Sequence, residues 1–513
     1  MYSVFGTVRV RWVRTKTQGR FIVALLSCLV LRGSDAQLAS RGKARGTTTC
    51  PSVASVSDGH KMTAKITARL KVKVSNIPFF LHCGDHVLFY GDSNTEQRMW
   101  PTDVELYIRT RFPNIQVRFI DSAFGGDRVT GGGAGPINVR LSRDVFPFKP
   151  NVVVIMLGMN DGWYRPFSRA IFDTYASGYR HIIASLKHHL LGVRIVVIEP
   201  TPWDDVTQKP SYKLDPGYKG VGGYNNVLVR YGEFVRQLAA RDHLLCVNFN
   251  KPLVNVLQRV NQIHHALAAQ IIPGRIHPAA PGQIVMAETL LRAWGATSSV
   301  TRVDINAEDK SITGAYSTTV KDFSASHGAI SWTQKDMALP MAVMDLHNTW
   351  PQFPQVLIFP YNKFWEAPTP RWNYVNPVTA MVVKVSGFYS TLNSLPLKVA
   401  GLSAPRYTLK IDGQTVGSFT SGQLAKGINL ARYNTPMLDQ SYRVLHAIWH
   451  AEQTRFYIFH YIQLMKYQQP YIQDLRRRFT AALYKRLFRE VDQREYALTK
   501  DRTYRYELLP DRR

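Results

Sequence analysis

The chain has 513 residues, 45% of them hydrophobic, 12% aromatic and 19% charged, which excludes a disordered polymer: so apolar a chain can bury enough surface to offset its conformational entropy. No apolar run reaches the roughly 18 residues that a bilayer span requires, so no membrane-spanning segment is expected. A net charge of +28 raises nucleic acid, acidic polysaccharide and anionic membranes as partners, but the basic residues are scattered and carry no nucleic-acid-binding motif, so a basic solvated surface is the plainer reading.

Arg9, Arg11, Arg14, Lys16 and Arg20 precede an apolar stretch from Phe21 to Leu31, and Ser34-Asp35-Ala36 then offers small residues around a cleavage point. This order predicts a secretory signal peptide over residues 1–36 and a secreted or periplasmic mature chain; a buried element at a ragged N-terminus is the alternative. Its removal takes away six basic and one acidic residue and leaves +23. Cys28 lies inside the apolar stretch. Cys50, Cys83 and Cys246 remain, which permits one disulfide and one free thiol, and their spacing fits no metal site. Residues 37–83 read as a flexible leader rich in Ser, Thr, Ala, Lys and Arg.

From residue 84 the pattern is α/β. Short β-branched or aromatic runs recur at His86–Tyr90, Gln116–Ile120, Asn151–Leu157, Val193–Ile198 and Leu244–Val247. Amphipathic segments lie between them, among them Phe172–Leu190, with Tyr175, Tyr179, Ile182, Ile183 and Leu186 at helical spacing, and Val227–Ala240. Nearly continuous apolar strands alternating with helices imply a parallel sheet covered on both faces, whose ligand site lies beyond the carboxyl ends of the strands.

The residues just after each strand are therefore the ones to inspect. After the first comes Gly91-Asp92-Ser93-Asn94-Thr95, entering a helical pattern. A serine on such a turn presents its hydroxyl at the sheet edge, near the positive end of a helix, although Ser and Asp are also ordinary helix caps. Pro101, after Trp100, should kink or restart that helix. Gly125-Gly126-Asp127-Arg128 follows the second strand and Gly158-Met159-Asn160-Asp161 the third. Glycine lets a backbone N–H approach an oxyanion, and an Asn amide can supply a second donor. Late in the region Arg275-Ile276-His277-Pro278 leads into a helix from Pro281 to Trp294, and a histidine there can take and return the serine proton.

These four blocks in this order resemble the SGNH (GDSL-type) hydrolase family over residues 84–297. The resemblance implies a three-layer α/β/α sandwich with a central five-stranded parallel sheet, flavodoxin-like in arrangement. It also implies Ser93 as nucleophile, His277 as general base, and an oxyanion hole formed by the N–H groups of Ser93 and Gly126 with the Asn160 side chain. No cofactor or metal is implied. The sequence departs from the family at one position: the acid usually found three residues before the histidine is Gly274 here. Such an acid fixes the tautomer and stabilises the imidazolium, and its loss can lower the rate by roughly 10⁴-fold. Three outcomes stay open: a Ser-His dyad oriented by backbone or water, a substitute carboxylate from Asp204 or Asp205, or a catalytically impaired carbohydrate-binding protein.

Asp92, Asp127, Arg128, Asp161, Trp163 and Tyr164 are candidates for the substrate pocket, since aromatic faces stack on sugar rings; core or rim packing competes with that reading. The Gly131–Gly135 run lacks the Lys-Ser/Thr ending of a phosphate loop and reads as a rim loop. His188-His189 and His264-His265 lack further ligands at suitable spacing.

Beyond Ala296 the alternation stops. Val300–Ile305, Ala329–Trp332, Met381–Val385 and Leu397–Val399 read as short strands, and Arg406–Ile411 with Gln414–Phe419 around Asp412-Gly413 predicts a tight hairpin. A mainly β accessory domain over 298–435 is expected, as some secreted bacterial members of the family look similar here. Residues 436–513 are expected as a helical segment and a basic tail, the tail spanning 471–513 with 12 Lys/Arg and seven Asp/Glu, a solvated helix or an anion-binding arm. Together these features predict a secreted serine esterase acting on small-molecule or polysaccharide esters, with carbohydrate O-acyl groups favoured and the oligomeric state open.

Overall fold

A computed structural model describes residues 79–213, 222–344, 375–464 and 470–511, all within the unit Cys50–Arg513. The basic-apolar segment at 1–36 and nearly all of the 37–83 leader lie outside the described residues. Cys83 is disulfide-bonded and Cys246 is a free thiol.

Five parallel strands form the central sheet: β1 (His86–Gly91), β2 (Arg118–Asp121), β3 (Val152–Met156), β4 (Arg194–Glu199) and β5 (Leu245–Asn248), in the order β2-β1-β3-β4-β5. The expected strands are present with ends shifted by a few residues. Alternate side chains enter two different layers, which is why each strand reads as almost wholly apolar. Val87, Phe89, Val152, Val154 and Met156 join one core, and Leu88, Tyr90, Val153, Ile155 and Leu157 the other.

The first layer is closed by α2 (Met99–Arg111), α6 (Asn250–Ile263) and α7 (Ala280–Ala293). The second is closed by α3 (Ile137–Asp144), α4 (Arg169–His189) and α5 (Gly223–Asp242). In α4 the expected stripe of Tyr175, Tyr179, Ile182, Ile183 and Leu186 is buried. Burial of each such side chain contributes about 1.5–3 kcal/mol. The short helix α1 (Ser93–Glu96) precedes α2, and the chain restarts at Met99 after Arg98, which is left-handed at φ 63°. The break expected near Pro101 is therefore present.

The C-terminal region is mainly β. Its strands are β6 (Arg302–Asn306), β7 (Ser311–Tyr316), β8 (Thr318–Ser326), β9 (Ala329–Asp336), β10 (Pro396–Ala400), β11 (Arg406–Ile411), β12 (Gln414–Thr420), β13 (Ile428–Asn429) and β14 (Thr503–Pro510). They form two sheets, β8-β9-β14-β11-β12 and β13-β10-β6-β7. The predicted hairpin is present, with Asp412 and Gly413 both at positive φ, as a primed turn requires.

Two expectations are corrected. Met381–Val385 is not a strand but part of α8 (Pro377–Ser386): Asn376 caps it by accepting from the Val378 N–H, Pro377 opens it and left-handed Gly387 ends it. The tail is not only a solvated helix or free arm. After α9 (Pro436–Tyr457), a π-helical turn (Ile458–Gln463) and α10 (Pro470–Leu498), its last strand β14 pairs with both β9 and β11 at the middle of the larger sheet. Trp332 stacks on Tyr506 there, with ring centroids 4.9 Å apart. The boundary drawn at 297 is no break in packing either, because the core under β1 and α2 continues through Val303, Trp332, Leu397, Tyr407, Ile448 and Tyr504.

A buried chain of alternating charges ties these parts together. Arg98 pairs with Glu452 (2.6 Å), Glu452 with Arg455, Arg455 with Glu105 (3.1 Å), Glu105 with Arg109 (2.9 Å) and Arg109 with Glu495 (2.8 Å). All six side chains are at most 3% exposed. Three of the basic residues are thus neutralised internally, linking α2 to α9 and α10. Among the described residues, no helix is long and apolar enough to cross a membrane.

Candidate active site

The carboxyl ends of all five strands share one edge of the sheet, as parallel pairing requires, and the motif residues gather there. β1 ends at Gly91, where a Cβ would stand 2.5 Å from Thr95 Oγ1 and 2.8 Å from the Met156 carbonyl, so only glycine lets the chain turn so tightly into α1. Asp92 caps α1 by accepting from the Asn94 N–H at 3.0 Å. Ser93 thereby occupies the first helical position, where the helix dipole favours negative charge.

Ser93 Oγ lies 2.8 Å from His277 Nε2, across 184 residues of sequence. His277 is carried on a turn in which Gly274 and Arg275 are both left-handed, at φ 69° and 73°. Gln283, fully buried in α7, joins the two halves of this pair. Its Oε1 accepts from the Trp100 N–H (3.0 Å), and its Nε2 donates to the Pro278 carbonyl (3.1 Å), the Asn94 carbonyl (3.4 Å) and Gln97 Oε1. One amide thus holds the serine helix against the histidine turn. Burial pulls the His277 pKa down to about 4, with the nearby Glu96 charge acting in the opposite direction. At neutral pH the imidazole is uncharged and can accept a proton.

Neither Asp204 nor Asp205 reaches His277. Asp204 accepts from the N–H groups of Val206 and Thr207 (both 2.9 Å) and from the Thr207 hydroxyl. Asp205 accepts from the N–H groups of Ser211 (3.2 Å) and Asn225 (3.3 Å) and pairs with Arg275 at 3.2 Å. Both residues instead brace the turn that carries the histidine, Asp205 through Arg275 and Asp204 through its N–H, which donates to the Arg275 carbonyl (3.0 Å).

Gly126 lies in the turn after β2, and Asn160 in the loop after β3. The Asn160 amide is fixed at both ends: Nδ2 donates to the Asp127 carbonyl (3.0 Å), while Tyr164 Oη donates to Oδ1 (2.5 Å). That leaves the second Nδ2 proton for a ligand. Trp163 and Tyr164 are consecutive left-handed residues, at φ 56° and 54°, a strained arrangement that concentrates at functional loops.

The expected pocket residues divide into two groups. Asp92, Asp127 and Asp161 are buried and turned inward: Asp127 pairs with Arg140 at 2.7 Å, and Asp161 accepts from the Val129 N–H at 3.0 Å. They form the frame of the site rather than its wall, because burying a carboxylate requires internal partners or neutralisation. Burial first, then mutual repulsion, pushes the Asp92 pKa up to about 8; burial pushes Asp161 to about 7 and Asp127 to about 6. Arg128, Trp163 and Tyr164 do reach the surface side. The Arg128 guanidinium lies 4.1 Å from the centroid of the Trp163 ring, which is 51% exposed. Two residues beside the Ser93–His277 pair, Gln283 and Glu96, carry no motif that sequence reasoning picks out. Glu96 stands three residues from Ser93, a signal that could have found it; Gln283 lies in an ordinary helical pattern.

Residues 89–284 match the GDSL-like lipase/acylhydrolase family. An acetylxylan esterase of Geobacillus stearothermophilus is 24% identical over 233 residues, covering 41% of this chain and 94% of its own. Among solved structures, BT4096, a gut microbial diltiazem-metabolizing enzyme, is similar at a TM-score of 0.68 and 23% identity, covering 85% of this chain and 99% of its own. At that identity the likeness concerns the fold.

Proposed function

We propose that this chain, whose residues 89–284 match the GDSL-like lipase/acylhydrolase family, is a carboxylic-ester hydrolase that removes acyl groups from carbohydrate esters through a Ser93–His277 acyl-enzyme. The observation that carries the reading is the 2.8 Å contact between Ser93 Oγ and His277 Nε2. His277 takes the serine proton as Oγ attacks the ester carbonyl. The tetrahedral oxyanion is received by the N–H groups of Ser93 and Gly126 and by Asn160 Nδ2. Collapse breaks the acyl–alkoxy bond, and His277 returns its proton to the departing alcohol. Water, deprotonated by the same imidazole, then attacks the acyl-enzyme; the acyl–Oγ bond breaks, His277 returns that proton to Oγ, and the acid leaves with Ser93 and neutral His277 regenerated. Carbohydrate is favoured as the alcohol by the similarity to an acetylxylan esterase and by the exposed Trp163, a surface on which a sugar ring can stack.

We further propose that residues 1–36 direct secretion, so that the enzyme works outside the cytoplasm; the disulfide at Cys83 suits an oxidising compartment. N-terminal sequencing of the exported protein should begin at residue 37.

The test of the hydrolase reading uses the purified chain on an aryl acetate and on acetylated xylooligosaccharides, with fluorophosphonate labelling read by mass spectrometry. Turnover of both substrates with the label on Ser93 is expected. Turnover of the aryl ester alone would discard the carbohydrate assignment, and oligosaccharide binding without any turnover or label would favour an impaired binding protein.

The depressed His277 pKa sets the expected pH dependence. The base must be unprotonated, so kcat/KM should hold level through neutrality and fall only as pH drops through about 4. A limb near the ordinary histidine pKa of roughly 6.5 would contradict the burial described for this ring. Gly274 gives a separate expectation. It is left-handed at φ 69°, and a Cβ built there would meet nothing within 4 Å, so Gly274→Asp gains no partner from packing and strains the turn. The variant should lose about 1 kcal/mol of stability without a gain in turnover, and a tenfold rise in kcat would show instead that the turn delivers an acid to His277.

A further inference from the structure

The C-terminal helices reach the catalytic serine through a pair of polar side chains. His460, in the π-helical turn Ile458–Gln463, has Nε2 2.9 Å from Glu96 Oε1, within ion-pair distance but outside hydrogen-bond geometry, and both side chains are largely buried, at 16% and 14% exposed. The imidazole is fixed on its faces: it stacks on Phe456 (centroids 4.1 Å apart) and on Phe124 (5.4 Å). π-helical turns insert an extra residue and recur where a helix must aim a side chain at a functional site. The other Glu96 oxygen lies against the turn after β2. A Cβ on Gly125 would stand 2.8 Å from Glu96 Oε2 and 3.8 Å from Ser93 Cβ, so this carboxylate and the nucleophile's Cβ flank the same glycine.

Resting on the Ser93–His277 reading above, we infer that His460 and Glu96 are positioning residues for catalysis: the C-terminal turn holds the Glu96 carboxylate beside Ser93, where its negative charge stabilises the His277 imidazolium formed as Ser93 loses its proton. Among the described charged groups, Glu96 is the one whose field opposes the effect of burial on His277. The other acids within its field are committed elsewhere: Asp92 caps α1, Asp121 accepts from the Ala123 N–H, and Asp127 pairs with Arg140. Arg98, the nearest base along the chain, is engaged by Glu452. The C-terminal region therefore completes the active site rather than only flanking it.

The test compares the full-length parent with Glu96→Gln and His460→Phe, the second keeping the ring stack while removing the nitrogen. Glu96→Gln should lower kcat roughly tenfold, the equivalent of one pKa unit of lost stabilisation, with KM changed less than twofold. It should also shift the acid limb of kcat/KM to lower pH, because removing a negative charge makes the imidazole easier to deprotonate. His460→Phe should change kcat in the same direction by a smaller factor, with Ser93 still labelled by fluorophosphonate in both. Parental kcat with an unmoved limb in Glu96→Gln would overturn the inference, as would a lower kcat with an unmoved limb, which marks a merely structural role. If Glu96→Gln does not fold, His460→Phe decides: unchanged kcat in a folded His460→Phe protein also overturns it. Failure to label Ser93 in the parent would instead sink the Ser93–His277 reading on which the pair depends.

Discussion

Ser93→Ala is expected to lower kcat by at least about 10⁴-fold while leaving the thermal unfolding temperature close to that of the parent. The kinetic loss follows from removal of the proposed nucleophile, whose oxygen lies 2.8 Å from His277 Nε2; no other hydroxyl is aimed at that nitrogen among the described contacts. The stability should survive because the local structure does not depend on this side chain. Asp92 caps α1, the tight turn is made by Gly91, and alanine is a good helix former at the first position. His277→Ala should lower kcat by a comparable factor, and the double variant should lose little beyond either single one, since two groups that act as a unit are not additive. Steady-state kinetics on an activated aryl ester would check this. Turnover retained within tenfold in Ser93→Ala would remove the proposed nucleophile from the mechanism.

The largest effect on stability is expected from Glu452→Ala. Glu452 stands between Arg98 and Arg455 in the buried charge chain, 354 residues away from the first of them in sequence. Burial alone would raise its pKa, but Arg455 and Arg98 hold it below the ordinary glutamate range. Truncation leaves two buried guanidinium groups without the carboxylate they share, a defect that typically costs about 3–5 kcal/mol. The sign of the pH dependence follows from the lowered pKa: the contribution is present above the ordinary glutamate pKa and disappears as pH falls through the folded-state value. Urea unfolding at neutral pH should therefore show a lower midpoint with little change in slope. Asp173→Ala, which breaks the exposed pair with Arg169, should change stability by less than about 0.5 kcal/mol and serves as the control. A loss below about 1 kcal/mol for Glu452→Ala would mean that the chain relaxes to admit water at this site.

The same buried charges show where the sequence is opaque. The pairs Arg98–Glu452, Glu105–Arg455 and Arg109–Glu495 have no local pattern that marks them, because an ion pair across hundreds of residues depends on which helix faces come together. For a similar reason Thr503–Pro510 reads as part of a basic tail. Its residues Tyr504, Tyr506 and Leu508 alternate as a strand does, but nothing nearby in sequence says that β9 and β11 lie on either side. In α8, by contrast, the start and stop signals at Asn376, Pro377 and Gly387 are local, and it is the β-branched content of the apolar run that argues misleadingly for a strand.

What the sequence determined unaided was the α/β framework and the candidate nucleophile, base and oxyanion donors, since strand periodicity, tight turns and helix entry are encoded within a few residues of one another. Tertiary structure alone decided that Gln283 locks the serine helix to the histidine turn, that Asp205 supports Arg275 rather than His277, and that His460 arrives beside Glu96 from the far end of the chain. The physical reason is range. Backbone conformation and amphipathic pattern are short-range properties of a sequence, whereas hydrogen bonds and charge pairs between distant segments exist only after the shared core has brought those segments together.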